Sequence, residues 1–217
     1  MIIWYLCVMK LVFATANLHK VKEASQILGP GFELSIPADY GHPEDIPETG
    51  NTLEANSLQK AKYVYDAIGM DCFADDSGLE VDALDGAPGV YTARYAYGDI
   101  RFKDNLDKLL YVLDGQTDRR ARFHTVVTLI IDGKPIQFQG YCEGSIGLKR
   151  IGTGGFGYDP IFIPAEIPVF QADGSWSLVP NTDGLAMAQL PDGAKNYISH
   201  RGRSLRIMAE YLATLVK

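Results

Sequence analysis

Two adjacent carboxylates in the segment ADDSG, Asp75 and Asp76, have the residue types and spacing to do chemistry. An apolar run typical of a buried strand precedes them, and we expect this strand to end at the aspartates. Neighbouring carboxylates repel each other unless a cation or a proton intervenes. Because strand alternation sends them to opposite faces, we expect only one to reach a site.

Carboxylate oxygens of this kind suit Mg²⁺, which bridges to phosphates through one or two carboxylates. Glu48, in the loop PETG, is a candidate for the second ligand. A turn in which Asp75 and Asp76 merely cap backbone groups is the competing interpretation. Ser77 follows directly, but the G-x-S-x-G elbow that a serine nucleophile of this kind needs is missing from the sequence.

The segment TANLHK places Thr15, Asn17 and Lys20 where a buried strand runs into a helix. Backbone N–H groups and the helix dipole favour an anion at such a junction, so a phosphate fits there. The competing interpretation is a helix cap by Asn17 with a solvated Lys20.

The segment GTGGFG formally matches the dinucleotide fingerprint G-x-G-x-x-G, but a proline and an apolar strand follow it instead of a helix. A loop that presents Phe156 for stacking on a base, with Asp159 as a hydrogen-bond acceptor, fits the sequence better. A glycine turn with Phe156 in the core competes with this interpretation.

Three potential cations, Lys195, His200 and Arg201, lie within seven positions at the start of a helix. The side chains of His200 and Arg201 can donate hydrogen bonds to a ligand oxygen. The competing interpretation is a capped helix whose basic first turn is exposed to solvent.

Hydrophobic periodicity indicates the elements that must position these residues. An Asp132-Gly133 turn between alternating segments predicts an antiparallel hairpin. The predicted elements are a strand over Met9–Ala16, a helix with Val21, Ala24 and Leu28 on one face that stops at Gly29, helices over residues 53–68 and 106–113, a strand PIFIP and a last helix beginning at Ser199. Their order predicts an α/β fold of three layers, with a mixed central sheet, flanking helices and an antiparallel hairpin lobe.

Composition limits the class of function. A formal net charge of −7 argues against broad nucleic-acid binding. The three cysteines are far apart and form no CxxC pair, so we expect neither a disulfide framework nor a zinc site, and a reducing cytoplasm fits best. The apolar opening lacks the features of a signal peptide or membrane anchor. Residues 1–8 are either a start-site extension ahead of Met9 or an added edge segment.

Seven motifs in this order, TANLHK, PETGNTLEANSLQKA, ADDSGL, GAPGVYTARY, ARFHTVV, GTGGFGYDPIF and ISHRG, closely resemble the inosine triphosphate pyrophosphatase family. The resemblance runs from about Met9 to the C-terminus. It implies a single nucleotide pyrophosphatase domain over residues 9–217. It also implies a Mg²⁺-dependent hydrolase that converts ITP, dITP and XTP to the monophosphate and pyrophosphate, removing them from the nucleotide pool. A homodimer is a further implication.

The resemblance also implies roles for individual residues. Thr15, Asn17 and Lys20 would hold the triphosphate. Glu48 and Asp76 would hold Mg²⁺, and Asp76 would position or deprotonate the attacking water.

The same resemblance assigns the recognition of the base. The base pocket would be formed by Phe156, Gly157, Tyr158 and Asp159, and the remaining substrate contacts would come from Ser77, Lys195, His200 and Arg201. The donors of His200 and Arg201 suit a 6-oxo group, whereas adenine presents an amino group. An unmatched buried polar group costs about 1–3 kcal/mol. Guanine shares the 6-oxo group, so its rejection must come from elsewhere in the pocket.

The chain departs from the family pattern in two places. Ala55 stands where many members carry Glu, which puts the network near Asn56 and Lys60 in doubt. About eighteen residues, at about 165–182, are inserted after PIFIP and predict a small hairpin. Two other functions stay open: a hydrolase that prefers pyrimidine or methylated nucleotides through an altered pocket, and, because of Ala55, a nucleotide-binding module without catalysis.

Overall fold

A computed structural model describes residues 8–42 and 45–215 of the 217-residue chain. Apart from Val8, the expected N-terminal extension lies outside the described residues. The strands are β1 (Met9–Phe13), β2 (Phe32–Ser35), β3 (Cys72–Val81), β4 (Pro88–Gly89), β5 (Arg120–Ile131), β6 (Lys134–Ile146), β7 (Phe162–Pro164), β8 (Glu166–Phe170) and β9 (Trp176–Pro180). The α-helices are α1 (Leu18–Leu28), α2 (Leu53–Ile68), α3 (Asn105–Val112), α4 (Asp192–Ile198) and α5 (His200–Leu215).

The main sheet has seven strands in the order β2-β1-β3-β5-β6-β7, with β4 paired to β3. Strand β1 runs parallel to β2 and β3, whereas β4 and β7 are antiparallel to their neighbours β3 and β6. Strands β8 and β9 form a separate antiparallel pair. The mixed α/β class, the mixed sheet and a small hairpin within about 165–182 are therefore confirmed.

Two compact units can be distinguished in the described chain. The first comprises the residues up to Asp76, Val126–Gln139 and the residues from Ser204 onward. The second comprises Ser77–Thr125 and Gly140–Arg203.

In the first unit, both faces of β1 are buried. Leu11 and Phe13 pack with residues of α1 and α5, including Ala24 and Met208. On the opposite face, Val12 of β1 and Ala14 just after it pack with α2, in the cluster Val12, Ala14, Ala61, Val64, Cys72, Ala74 and Ile130. Because successive strand side chains point to opposite faces, this pattern places helices on both sides of the strand, as expected for three layers.

The second unit has its own core, built from β3, β5, β6, β7, α3 and the segment before α5. Its buried members include Leu79, Leu109, Phe123, Phe162 and Ile198. The rings of Phe123 and Phe162 contact each other at a centroid distance of 4.7 Å.

Local sequence explains where the main elements begin and end. The Thr52 side chain accepts a hydrogen bond from Ala55 N at the start of α2, and Gly69 ends the helix with φ of 69°. Asp132 and Gly133 have φ of 48° and 74°, as a two-residue hairpin turn requires. The Oγ of Ser199 accepts a hydrogen bond from Gly202 N at the start of α5, which confirms the predicted beginning of the last helix.

One predicted boundary is wrong. Strand β3 does not end at Asp75 and Asp76 but continues to Val81. Leu79 and Val81 are fully buried in the core of the second unit, so packing carries the strand past the charged residues. No helix within residues 8–42 and 45–215 has both the length and the apolar character needed to cross a membrane.

Candidate functional site

The adjacent aspartates of β3 each contact a lysine from a different helix. Asp75 Oδ1 lies 2.9 Å from Lys20 Nζ of α1. Asp76 Oδ1 lies 2.9 Å from Lys60 Nζ of α2. Both aspartates are buried, so each buried carboxylate has a cationic partner, as its desolvation requires. The turn interpretation of ADDSG is excluded because both residues lie inside a strand.

Lys60 also brings Glu48 to Asp76. The Nζ of Lys60 lies 2.5 Å from Glu48 Oε1, and the Lys60 side chain is almost fully buried. Asn56, one turn earlier on α2, donates from Nδ2 to Asp76 Oδ2 at 3.1 Å and accepts from Gly50 N at 2.7 Å. The predicted pair of metal ligands therefore converges on one ammonium group, and Asn56 connects the Glu48 loop to Asp76.

The charges at this cluster are unbalanced. The carboxylates of Glu48, Asp75 and Asp76 carry three negative charges against the two positive charges of Lys20 and Lys60. Burial raises the pKa of Asp76, and Glu48 raises it further, although the Lys60 ammonium opposes the shift. Burial lowers the pKa of Lys60, but the three carboxylates outweigh burial, so its pKa lies above the usual value and the ammonium stays charged.

This arrangement fits a magnesium ion. Among the described residues there is no group of three or more His, Cys, Asp and Glu side chains that could hold a metal by themselves. Mg²⁺ in phosphate-processing sites, however, uses one or two carboxylates and completes its shell with phosphate oxygens and water. Glu48 and Asp76 supply two such carboxylates with an excess of negative charge.

At the strand–helix turn before α1, the structure shows the Asn17 cap of the competing interpretation of TANLHK but not its solvated lysine. Asn17 Oδ1 accepts from His19 N at 3.0 Å and Lys20 N at 3.3 Å, so Asn17 caps the helix. Thr15 Oγ1 accepts from Asn17 N at 3.1 Å. Lys20 is not a solvated side chain, because its ammonium pairs with buried Asp75.

In the second unit, the glycine-rich loop, α4 and the start of α5 bring four predicted residues together. Asp159 Oδ2 accepts from Phe156 N at 2.8 Å and lies 2.7 Å from Lys195 Nζ. The ammonium of Lys195 stands 4.4 Å from the centre of the Phe156 ring, and the guanidinium carbon of Arg201 stands 6.0 Å from it.

The exposure of these side chains decides between the interpretations of GTGGFG and SHRG. Phe156 is 48% exposed, so it is not a core residue. Arg201 is only 2% exposed, so the basic turn at the start of α5 is not simply solvated. An exposed aromatic ring with two cations beside it is a surface suited to stacking on a base.

Two further residues predicted to contact the base, Tyr158 and Gly157, differ in their exposure. The Tyr158 hydroxyl donates to the carbonyl of Thr92 at 2.9 Å, and burial raises the pKa of this phenol. Tyr158 is thus part of the core, whereas Gly157 is exposed with φ of 58°.

Ser77 and His200 also have partners inside the second unit. Ser77 Oγ and Thr125 Oγ1 form a hydrogen bond of 2.6 Å. The His200 ring stacks on Phe123 at 4.7 Å.

Sequence reasoning did not include Lys60 and Asn56 among the site residues. The signal was their position: they lie four apart on the buried face of α2, where a lysine and an asparagine are unusual. Ala55, the departure from the family pattern, is exposed, and the Asp76–Lys60 contact forms without it.

Comparison with known proteins identifies the family. The model of the Ham1 family matches residues 11–211. The chain belongs to the Ham1 family. A dITP/XTP pyrophosphatase of Flavobacterium johnsoniae is 43% identical over 94% of this chain and 98% of its own length. That of Christiangramia forsetii is 44% identical over 94% of this chain and 100% of its own length.

Solved structures of Ham1 proteins agree with the fold. The Ham1 protein of Staphylococcus aureus has a TM-score of 0.78 at 34% identity and covers 94% of this chain and 98% of its own. A dITP/XTP pyrophosphatase of Mycobacterium abscessus has a TM-score of 0.67 at 36% identity, covering 92% of this chain and 98% of its own. The resemblance inferred from the seven motifs is confirmed.

Proposed function

We propose that this Ham1 protein hydrolyses ITP, dITP and XTP to the nucleoside monophosphate and pyrophosphate in a Mg²⁺-dependent reaction. The observation that carries the proposal is the convergence of Glu48 and Asp76 on the Lys60 ammonium, at 2.5 and 2.9 Å. The similar proteins, which align over nearly their whole length, are named dITP/XTP pyrophosphatases, and these names support dITP and XTP as substrates.

Glu48 and Asp76 would hold the Mg²⁺ ion, which when bound supplies positive charge to the phosphates and lowers the pKa of water. Asp76 orients the attacking water and accepts its proton, the role of a carboxylate that acts as a general base. The water oxygen bonds to the α-phosphorus, and the bond from that phosphorus to the bridging oxygen breaks. Pyrophosphate leaves with the electron pair, and no covalent enzyme intermediate forms.

Cationic and N–H groups of the first unit suit the triphosphate. Lys20 and Lys60 lie beside the carboxylates and offer positive charge to phosphate oxygens. Thr15 and Asn17 shape the turn at the N-terminus of α1, where the helix dipole favours an anion. Electrostatic stabilisation by fixed groups of this kind is the main source of catalysis in phosphoryl transfer.

Groups of the second unit suit a 6-oxopurine. Phe156 offers an exposed ring for stacking, held by Asp159 and flanked by Lys195. Arg201 and His200 offer donors for the 6-oxo oxygen, and adenine leaves such donors unmatched. A mismatch of about 1–3 kcal/mol corresponds to roughly five- to 150-fold discrimination.

The assembly and location of the protein are also proposals. We propose a homodimer acting in the cytoplasm, with a nucleotide as its small-molecule partner. The net charge of −7 disfavours nucleic acid as a substrate.

A substrate panel tests the proposed function. Pyrophosphate release is measured from ITP, XTP, GTP and dTTP with Mg²⁺, and ITP and XTP are expected to turn over fastest. Equal or faster turnover of dTTP would instead identify a pyrimidine nucleotide hydrolase.

Asp76→Asn tests the alternative of a binding module without catalysis. We expect this variant to fold and to lose turnover, since it removes both a metal ligand and the proton acceptor. Asp66→Asn, at an exposed position of α2, is the control and should keep wild-type activity. A wild type that binds ITP but is inert with Mg²⁺ would favour the binding module.

A further inference from the structure

Helix α4 carries Lys195 but has little intrinsic stability. It spans only seven residues, Asp192–Ile198, and Pro191 before it offers no side chain that could cap it. A helix of two turns does not persist in water without tertiary contacts. The position of Lys195 therefore depends on what packs against α4.

The inserted hairpin, β8 with β9, packs on one side of this helix. The rings of Trp176 and Tyr197 lie 5.9 Å apart with planes 29° from parallel, and the Tyr197 hydroxyl donates to the Trp176 carbonyl at 3.3 Å. The indole also lies 4.0 Å from the point where a Cβ on Gly193 would stand, so the ring lies against this residue of the helix. Gly193 and Tyr197 are four apart and share one face of α4.

Lys195 points away from the hairpin. It is two residues from both Gly193 and Tyr197, which corresponds to a rotation of about 200° around the helix. On that other side, its Nζ contacts Asp159 Oδ2 at 2.7 Å and stands 4.4 Å from the Phe156 ring. Helix α4 thus lies between the hairpin and the loop that presents Phe156.

We propose that Trp176 is a positioning residue for base recognition: it holds α4 so that Lys195 stays against Asp159 and Phe156. The inserted hairpin then acts on substrate affinity through the helix. This inference rests on the proposed function and adds to it a role for the hairpin.

Steady-state kinetics of hairpin variants test the inference. Trp176→Ala is expected to raise KM for ITP on the order of tenfold, the equivalent of about 1.4 kcal/mol. We expect kcat to change less than about twofold, because a contact to the base is made equally before and during the chemical step. Trp176→Phe keeps a stacking ring and should restore most of the affinity.

Tripolyphosphate serves as a probe without a base. Its inhibition constant should be the same in wild type and Trp176→Ala, because it needs only the groups of the first unit. Val169→Ala is the matched control, since Val169 is exposed on β8 and pairs with Ser177, next to Trp176. Should Trp176→Ala fail to fold, Tyr197→Ala breaks the same stack from the helix side and must give the same pattern.

A double-mutant cycle with Lys195→Met identifies the route of the effect. If the hairpin acts through Lys195, then Trp176→Ala adds little to KM once Lys195 is removed. An equal effect in both backgrounds, a parallel rise in the tripolyphosphate inhibition constant, or an unchanged KM would each overturn the inference. An inactive wild type would overturn the proposed function itself.

Discussion

At the scale of single residues, Lys60 organises the first unit. Its ammonium is buried and contacts the carboxylates of Glu48 and Asp76. Burying a lysine is costly, and here two anionic partners and the charge of a third nearby offset that cost. The Lys60 ammonium thus holds two carboxylates close together that would otherwise repel each other.

Lys60→Met is expected to lower the free energy of unfolding by about 3 kcal/mol, because it leaves a buried carboxylate without its partner. Mg²⁺ should then raise the melting temperature of this variant more than that of wild type, since the carboxylates lack their cation. Thermal unfolding with and without Mg²⁺ measures both effects. Lys62→Met, at an exposed position of the same helix, is the control. Equal stability of the two variants would show that the contacts of Lys60 with Glu48 and Asp76 do not stabilise the protein.

The buried thiols are a second prediction at this scale. Cys72 and Cys142 are buried, and burial raises the pKa of each to about 12. At about pH 8 such a thiol is almost entirely protonated, whereas about a quarter of ordinary cysteine thiols are ionised. In a Cys7→Ser variant, the native protein should therefore resist a thiol reagent, and two thiols should react after denaturation. Rapid reaction of either thiol in the native protein would show that the burial is wrong.

At the scale of elements, close approach of backbones fixes the pairing of β6 with β7. A Cβ on Gly144 would stand 2.3 Å from the carbonyl oxygen of Ile163 and 2.7 Å from the Phe162 ring. Neither the backbone of a paired strand nor a buried ring can move away cheaply.

Gly144→Ala should therefore destabilise the protein by about 2–3 kcal/mol, through overpacking. Denaturant unfolding checks this value. At Gly31, where a Cβ would meet no atom within 4 Å, the same substitution should be nearly neutral. A loss at Gly144 no larger than at Gly31 would mean that the two strands are less closely paired than described.

Elements with strong periodicity and clear stop signals could be predicted from the sequence. Helix α2 ends at Ile68 before Gly69, and the Asp132-Gly133 turn lies at the predicted hairpin. Strand β2 and helix α4, of four and seven residues, were missed because segments this short contain too few periods to detect. The end of β3 was misplaced because its charged residues are buried through tertiary ion pairs, which a local pattern cannot reveal.

The sequence predicted many of the residues of the candidate site, but not how these residues contact one another. The motifs indicated Glu48, Asp76 and Lys195, but the sequence does not state that Lys60 bridges the first two. That contact depends on how α2 lies against β3. The exposure of Phe156 was likewise undecided until the structure showed the Asp159 carboxylate holding the loop.

At the scale of the whole molecule, the described chain divides its chemistry between two compact units. The first holds the carboxylates and lysines suited to a metal and a triphosphate. The second holds an exposed aromatic ring with cations suited to a purine. Membership in the Ham1 family over residues 11–211 covers both units.

The proposed reaction separates the α-phosphate from the β-phosphate, and phosphorus NMR of the reaction products shows directly where the triphosphate is cut. ITP is incubated with the protein and Mg²⁺, and we expect inosine monophosphate and pyrophosphate in equal amounts, with no products when Mg²⁺ is chelated. Release of orthophosphate with inosine diphosphate, or turnover that persists without a divalent ion, would contradict this expectation.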